Sequence, residues 1–170
     1  MNAITLLDGG LGQEIYRKAG KPAHPLWSTK VMMETPHLVK EAHQEFIQAG
    51  ARVITTNSYT ATPTRLQRDG QAEWFEDLQQ KAFAIADEAR QELGYPAEQV
   101  QIAGCLSPLV GSYTADERTF AELKQEYQQI VAAQAPRVDL FLIETISVIR
   151  EAQAAVEAAQ DSSQPVLLSF

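Results

Sequence analysis

The sequence contains a single cysteine, Cys105, among 170 residues. One thiol excludes an internal disulfide and is too few for a cysteine-rich metal site. Basic residues are also scarce, because Lys and Arg total 14 against 22 Asp and Glu, which gives a formal charge of -8. A nucleic-acid or anionic-membrane surface requires a basic patch, so the charge balance argues against both kinds of partner.

Long hydrophobic runs are missing as well. No segment approaches the roughly 18 consecutive apolar residues that predict a transmembrane helix. Residues 1–5 have neither the basic region nor the extended apolar region of a signal peptide. With 45% hydrophobic residues, the chain is nevertheless able to bury one sizeable core. These features predict a soluble, cytoplasmic protein in which residues 1–170 belong to one domain.

Five short apolar runs have the composition of buried β-strands, and segments with helical periodicity separate them. The runs cover residues 3–7, 52–56, 100–105, 138–143 and 165–170. Four to five helices are predicted between the runs. The clearest begins at Thr35-Pro36, because threonine is a good N-cap and proline suits the first helical position. Residues 20–28 and 63–70 are predicted to be loops.

Strands that alternate with helices require parallel pairing and right-handed crossovers. Five such strands suit either a doubly wound sheet or the first part of a (β/α)8 barrel of the TIM type, which needs about 250 residues. The glycines at positions 9, 10 and 12 do not form the G-x-G-x-x-G fingerprint of a dinucleotide fold, and no G-x-x-x-x-G-K-S/T motif occurs. The sequence therefore favours an α/β fold of the barrel type, truncated to about five strands.

Polar side chains follow three predicted strands at the point where each strand ends: Asp8, Asn57 and Glu144. In parallel α/β folds these ends meet at the edge where ligands bind. Two carboxylates and an amide suit a ligand with an ammonium group, and the backbone N–H groups of Gly9 and Gly10 are available to its carboxylate. The set predicts an amino-acid site, while the same residue types also suit strand-end caps and turns.

Other residues that could carry chemistry give weaker indications. Trp27 lies in a predicted loop, where it suits either a clamp over a buried edge or an apolar wall for a ligand. His37 and His43 are six positions apart, about 240° around a helix, so they cannot share a face and bind a metal together; solvated or capping roles are expected. Cys105 has no basic neighbour in the sequence that would lower its pKa, so we expect a small buried residue.

Five motifs, in the same order along the chain, resemble the N-terminal half of the homocysteine S-methyltransferases. They are LDGGLG at 7–12, PLWS at 25–28, AGA at 49–51 leading into TTNSY at 55–59, AGCLSP at 103–108, and LIET at 142–145. The match spans essentially the whole chain. It is most similar to the members that use S-methylmethionine or S-adenosylmethionine as the methyl donor.

The resemblance implies a barrel that transfers a methyl group from a sulfonium donor to homocysteine, forming methionine. It implies that Asp8 and Glu144 hold the homocysteine amino group, and that Trp27 and Asn57 line the pocket beside Gly9. The family activates homocysteine on zinc held by three cysteines, which come after the sixth strand and near the eighth. Cys105 is not one of them, so we expect zinc in the full-length family and none held by this chain alone.

A barrel that stops after five strands exposes two apolar edges, at residues 4–7 and 166–168. Because such edges invite pairing, we expect either self-association or a chain that is one fragment of a longer enzyme. The missing cysteines put the activity of this chain alone in doubt. The alternatives are a catalytically inactive homologue that binds an amino acid or a partner chain, and an unrelated doubly wound domain that binds a small molecule.

Overall fold

The computed structural model describes residues 4–20, 22 and 24–169. Within them the chain forms seven α-helices, one short 3-10 helix (Ala72–Trp74) and four β-strands. None of these helices is long and apolar enough to cross a membrane. In chain order the helices and strands are α1 (Leu11–Ala19), α2 (Trp27–Glu34), α3 (Pro36–Gln48), β1 (Val53–Thr55), α4 (Pro63–Arg68), α5 (Phe75–Glu92), β2 (Gln101–Leu106), α6 (Phe120–Gln134), β3 (Leu140–Ile143), α7 (Ile149–Gln160) and β4 (Val166–Leu168).

The four strands form one parallel sheet in the order β1-β2-β3-β4, so each strand pairs with the next one along the chain. The register places Ile54 opposite Ile102, and Cys105 opposite Leu142. At least one helix connects each pair of neighbouring strands, as parallel pairing requires. This is the predicted strand–helix repeat, and it brings the carboxyl ends of all four strands to one edge.

The prediction of a first strand at residues 3–7 is wrong for the described residues. Within them the predicted strand is reduced to a single parallel bridge between Leu7 and Val53. The Leu6 carbonyl accepts from the backbone N–H of Arg52 at 2.8 Å, and the Asp8 N–H donates to the Val53 carbonyl at 2.8 Å. The segment meets β1 only at the first residue of that short strand, and Ile4 is 94% exposed. Residue 3 lies outside the described residues.

Both faces of the sheet are buried along most of β1, β2 and β3, whereas Leu167 and Leu168 of β4 are exposed. Phe141 and Ile143 pack with the helices in the main hydrophobic core. Leu140 and Leu142, whose side chains alternate with these, form a smaller cluster on the opposite face. Burial on both sides explains why the strands are continuous apolar runs in the sequence.

Helix α4 lies where a loop is predicted, and α2 begins within the last two residues of the predicted loop 20–28. Helix α2 begins at Trp27 without a side-chain cap, so the sequence offers no local start signal there. Helix α4 follows Thr62, whose hydroxyl accepts from the Arg65 N–H, and has Pro63 at its first position. The Thr-Pro pair is the same signal that predicts α3, so α4 was within reach of the sequence analysis.

The three histidines occupy different environments. His37 is exposed, and Nδ1 of His24 accepts from the Leu26 N–H at 3.0 Å. His43 is fully buried in α3, and neither ring nitrogen has a hydrogen-bond partner among the described residues. The expectation of a solvated or capping role is therefore wrong for His43, whose pKa burial lowers to about 4.

Candidate functional site

A cavity of about 510 Å³ opens at the carboxyl ends of the strands. This volume is in the usual range for a small-molecule site. Its walls come from the segment before and within α1, the start of α2, the stretch from β1 into α4, the loop after β2 and the loop after β3. The lining residues are Gly9, Gly10, Leu11, Gly12, Pro25, Trp27, Ser28, Thr55, Thr56, Asn57, Tyr59, Thr60, Arg65, Ser112, Tyr113, Glu144 and Thr145.

The structure brings the residues singled out in the sequence to this one place. Gly9, Trp27, Asn57 and Glu144 all line the cavity. Asp8 precedes Gly9 and does not itself form part of the lining. The charge of Glu144 nevertheless contributes to raising the pKa of Asp8. Asp8, bonded to Thr55 at the end of β1, and Glu144, directly after β3, therefore lie at the same edge of the sheet.

Asp8 is held by Thr55 at the end of β1. The Thr55 N–H donates to Oδ2 of Asp8 at 2.7 Å, and the Thr55 hydroxyl donates to Oδ1 at 2.9 Å. Burial raises the pKa of Asp8 to about 6; the Thr55 hydrogen bonds act to lower it and the Glu144 charge acts to raise it further. No cation lies within 4 Å of this carboxylate in the described part of the chain. A ligand cation would therefore stabilise the ionised form.

Glu144 follows β3 and faces the buried thiol of Cys105. The Cys105 Sγ donates to Oε1 of Glu144 across 3.3 Å. Burial raises the pKa of Glu144, and burial together with the Glu144 charge raises the pKa of the Cys105 thiol well above its ordinary value. Cys105 is thus a protonated, buried donor, as the sequence predicts of a small buried residue, and it is not a reactive thiolate.

The Asn57 side chain anchors the wall of the cavity. Its Oδ1 accepts from the Ser28 hydroxyl at 2.7 Å, and its Nδ2 donates to the Ser28 carbonyl at 3.1 Å. Nearby, the Thr60 hydroxyl donates to the Leu26 carbonyl at 2.6 Å. These bonds join the start of α2 to the end of β1. Half of the bonding capacity of the Asn57 amide is therefore used to position the wall.

Trp27 lines the cavity, and its two possible functions, a clamp over a buried edge or an apolar wall for a ligand, stay predictions. Its ring meets Tyr59 edge to face, with centroids 6.3 Å apart. It also passes so close to Gly12 that a Cβ atom there would lie 2.5 Å from the indole. Gly12 is therefore required for this packing, which explains the third glycine of the first motif.

Backbone strain concentrates around the cavity. Among the described residues, three that are not glycine have a positive φ: Trp27 at 41°, Tyr113 at 58° and Thr145 at 61°. All three line the cavity. Such conformations cost roughly 1–3 kcal/mol each and tend to collect at functional sites. Their shared location is an independent reason to regard this cavity as the functional one.

Arg65 is a lining residue that the sequence analysis missed. It lies in α4, in the segment predicted to be a loop, and is only 8% exposed. The Thr62-Pro63 signal would have placed it on a helix directly after the polar end of β1. No sequence rule, however, would have turned its side chain into the cavity.

A three-cysteine zinc site does not fit the residues present. Across residues 4–20, 22 and 24–169, no group of three or more His, Cys, Asp or Glu side chains is placed to hold a metal ion. Cys105 is already paired with a carboxylate whose pKa is raised, an arrangement that keeps the thiol protonated. We therefore derive no chemistry from a metal bound to this chain.

Comparison with known proteins identifies the lineage of this site. The sequence model of the homocysteine S-methyltransferase family matches residues 5–170. The chain belongs to this family. Homocysteine S-methyltransferase 3 of Zea mays is 31% identical over 188 aligned positions, which cover 97% of this chain and 55% of the relative. Homocysteine S-methyltransferase of Escherichia coli is 34% identical, with 91% of this chain and 54% of the relative covered.

A solved structure supports the same assignment. The metallated form of the homocysteine methyltransferase MmuM from Escherichia coli superimposes with a TM-score of 0.87 at 27% identity. The match covers 98% of this chain and 62% of that one. The predicted α/β fold of the TIM-barrel type is confirmed, with four strands described instead of five. The chain spans about half the length of the relatives that it matches in sequence.

Proposed function

We propose that this chain forms the homocysteine-binding part of a homocysteine S-methyltransferase. The observation that carries the proposal is the pair of carboxylates, Asp8 and Glu144, which lie at one edge of the sheet beside the cavity without a cation partner in the described chain. An unpaired buried carboxylate is costly, so a pair of them at a cavity favours a cationic ligand. The ammonium group of an amino acid supplies that charge.

The remaining groups of the ligand find partners in the same cavity. The backbone N–H groups of Gly9 and Gly10 make no hydrogen bond within the described residues and lie at the start of α1. Donors at a helix N-terminus suit a carboxylate. Asn57 and Trp27 shape the wall beside the thiol-bearing side chain. Homocysteine therefore places its charged end between Gly9 and Glu144.

The reaction of the proposed enzyme is a methyl transfer between two sulfur atoms. The homocysteine thiol releases its proton to solvent, and the thiolate sulfur forms a bond to the methyl carbon while the bond from that carbon to the sulfonium sulfur breaks. The electron pair stays on the donor sulfur, which becomes a neutral thioether. S-Methylmethionine or S-adenosylmethionine is the proposed donor, and a zinc requirement and a cytoplasmic location belong to the same proposal for the full-length enzyme.

Calorimetric titration with homocysteine tests the proposal, using Glu144→Gln as the variant and the exposed Glu73→Gln as a matched control. Loss of a charged hydrogen bond to the ammonium should weaken binding about 10- to 100-fold. The control should bind as the unaltered chain does. If Glu144→Gln binds homocysteine with unchanged affinity, the assignment of this site is wrong. Methionine formation from either donor would then separate an active chain from the inactive homologue.

The exposed edges of the sheet support a second part of the proposal, namely pairing with further protein. Ile4 and Leu6 are exposed beside β1, and Leu167 and Leu168 are exposed in β4. Apolar strand edges of this kind pair readily with another chain. We expect light scattering of the 170-residue chain to give a mass above that of one copy. A monodisperse monomer would contradict self-association.

A further inference from the structure

Arg65 places a buried positive charge in the cavity. Its Nη2 donates to the Pro108 carbonyl at 2.6 Å, its Nε donates to the Leu109 carbonyl at 3.4 Å, and its Cζ lies 5.4 Å from the centroid of the Tyr59 ring. No carboxylate lies within 4 Å of the guanidinium in the described residues. Two neutral carbonyls and a ring face leave this charge without a counter-ion.

An arginine cannot relieve such a situation by losing its proton in the accessible pH range. Burial lowers the pKa of Arg65, which shows that its surroundings oppose the charge. The second terminal nitrogen, Nη1, has no hydrogen-bond partner in the described chain, and the side chain lines the cavity. The neighbouring wall is polar, because the Tyr59 hydroxyl and the Ser112 hydroxyl are 2.7 Å apart. The surroundings of Arg65 therefore suit an anionic ligand group.

We propose that Arg65 binds the α-carboxylate of an amino acid in this cavity. The inference rests on the proposed function and adds to it a specificity-determining residue. A guanidinium offers a planar pair of donors that matches a carboxylate, and such charge-assisted bonds are about twice as strong as neutral ones. Both homocysteine and the sulfonium donor carry this group. Since the N–H groups of Gly9 and Gly10 suit the carboxylate of homocysteine, we expect Arg65 to take that of the donor.

The distribution of charge agrees with this assignment. Asp8 and Glu144 are each more than 4 Å from Arg65, so the opposite charges stand apart instead of cancelling in a salt bridge. With both carboxylates ionised, the three side chains sum to one net negative charge. A sulfonium amino acid at neutral pH has one net positive charge, made of an ammonium, a sulfonium and a carboxylate. Homocysteine bound as a zwitterion at the two carboxylates leaves the sum over the three side chains unchanged, so the occupied cavity is opposite in net charge to the donor.

The experiment compares Arg65→Gln with Arg68→Gln in calorimetric titrations of homocysteine and of S-methylmethionine. Arg68 is a matched control, because it lies on the same helix and donates to the Val110 carbonyl at 2.8 Å but does not line this cavity. Each ligand is paired with its analogue that lacks the carboxylate. Arg65→Lys, compared with Arg68→Lys, repeats the test with the charge retained, and thermal unfolding confirms that each variant is folded.

We expect Arg65→Gln to weaken S-methylmethionine about 10- to 100-fold and to leave the affinity of its carboxylate-free analogue unchanged. Selective weakening of homocysteine would instead assign Arg65 to the acceptor. Unchanged affinity for both carboxylated ligands, or an equal loss for the analogue, would overturn the inference. Homocysteine binding that depends on Glu144 while nothing depends on Arg65 would leave the proposed function standing alone. Donor binding that needs Arg65 without any homocysteine binding would do the reverse.

Discussion

Asp8 and Glu126 are held in the same way and differ in one respect. Thr55 donates its N–H and its hydroxyl to the two oxygens of Asp8, and Thr64 donates its N–H and its hydroxyl to the two oxygens of Glu126. Only Glu126 also has a cation, because Nη1 of Arg118 donates to its Oε2 at 2.5 Å. The same pair of threonine hydrogen bonds therefore holds a carboxylate with a cation partner in one region, and a carboxylate without one among the described residues in the other.

The pairing around Glu126 extends to a second acid. Arg118 also binds Asp116, with Nη2 of Arg118 2.6 Å from Oδ2. Burial acts to raise the pKa of Asp116, but the hydrogen bonds from Arg118 hold it below its ordinary value. At Asp8 nothing offsets burial to this extent, and the pKa rises to about 6. The comparison shows that a hydrogen-bonded carboxylate with an arginine partner keeps a pKa below its ordinary value, as Asp116 does, whereas Asp8, which has hydrogen bonds but no cation in the described chain, does not.

Arg118→Met should break the comparison most strongly. It leaves Asp116 and Glu126 buried without a counter-ion, so we expect the free energy of unfolding at pH 7 to fall by about 2–4 kcal/mol. Arg17→Met removes an exposed pair with Glu14, which solvent screens, and should leave the free energy of unfolding nearly unchanged. Urea unfolding measures both values. Homocysteine affinity should not change in either variant; a loss of affinity in Arg118→Met would show that the two regions are coupled.

The pH dependence of homocysteine binding should come next in size. If the ionised form of Asp8 is the one that binds an ammonium group, affinity falls as the pH drops through about 6, by about tenfold at pH 5. Stability has the opposite sign, because the raised pKa means that the folded chain binds more protons than the unfolded chain between pH 6 and 4. The free energy of unfolding that Asp8 contributes therefore rises as the pH falls across this window.

Asp8→Asn supplies the control for both effects. The variant should bind homocysteine weakly at every pH and should lack the part of the pH profile centred near 6. As the pH falls from 6 to 4, the free energy of unfolding of the unaltered chain should rise relative to that of Asp8→Asn. A binding profile that keeps its step near pH 6 in Asp8→Asn would assign that step to another group, with Glu144 the next to test.

The sequence predicts where the candidate site lies, because that depends on local pattern. Apolar runs that end in Asp8, Asn57 and Glu144, together with the rule that parallel strands share an edge, are enough to expect an amino-acid site there. What Asn57 bonds to is not predictable, because its partner Ser28 lies on α2, a helix with no start signal, and the contact is purely tertiary. The left-handed backbone of Trp27 is likewise fixed only by the packing around it.

Strand length and charge pairing escape the sequence for a related reason. Residues 3–7 have strand composition, yet how much of a segment pairs depends on how long its neighbour is, and β1 has only three residues. Arg118 lies in the loop between β2 and α6, and it bonds to Thr64 on α4 and to Glu126 on α6. These contacts join separate elements, so they follow no helical or strand period. Arg65 is only partly predictable from the sequence. The Thr62-Pro63 pair predicts the helix that carries it, but nothing in the sequence predicts that its side chain lines the cavity.

The smallest expected effects come from removing one threonine hydroxyl at each of the two carboxylates. This pair of variants is also the most specific test, because each removes a single hydroxyl group. Thr55→Val and Thr64→Val both keep the backbone bond and remove the hydroxyl bond, to Oδ1 of Asp8 at 2.9 Å and to Oε2 of Glu126 at 2.6 Å. Each should lower the free energy of unfolding by about 1 kcal/mol. Only Thr55→Val should also raise the pKa of Asp8 and weaken homocysteine binding at pH 7, by about two- to fivefold.

Thr64→Val should leave homocysteine affinity unchanged, because Arg118 still neutralises Glu126 and neither residue lines the cavity. Calorimetric titration and urea unfolding of the two valine variants therefore separate stability from binding with nearly identical chemistry. Equal effects on affinity would mean that the unpaired state of Asp8 has no bearing on the ligand. Because Thr55 itself lines the cavity, a loss of affinity confined to Thr55→Val assigns the ligand cation to Asp8 only when the pH profile of binding also shifts to higher pH with the raised pKa of Asp8.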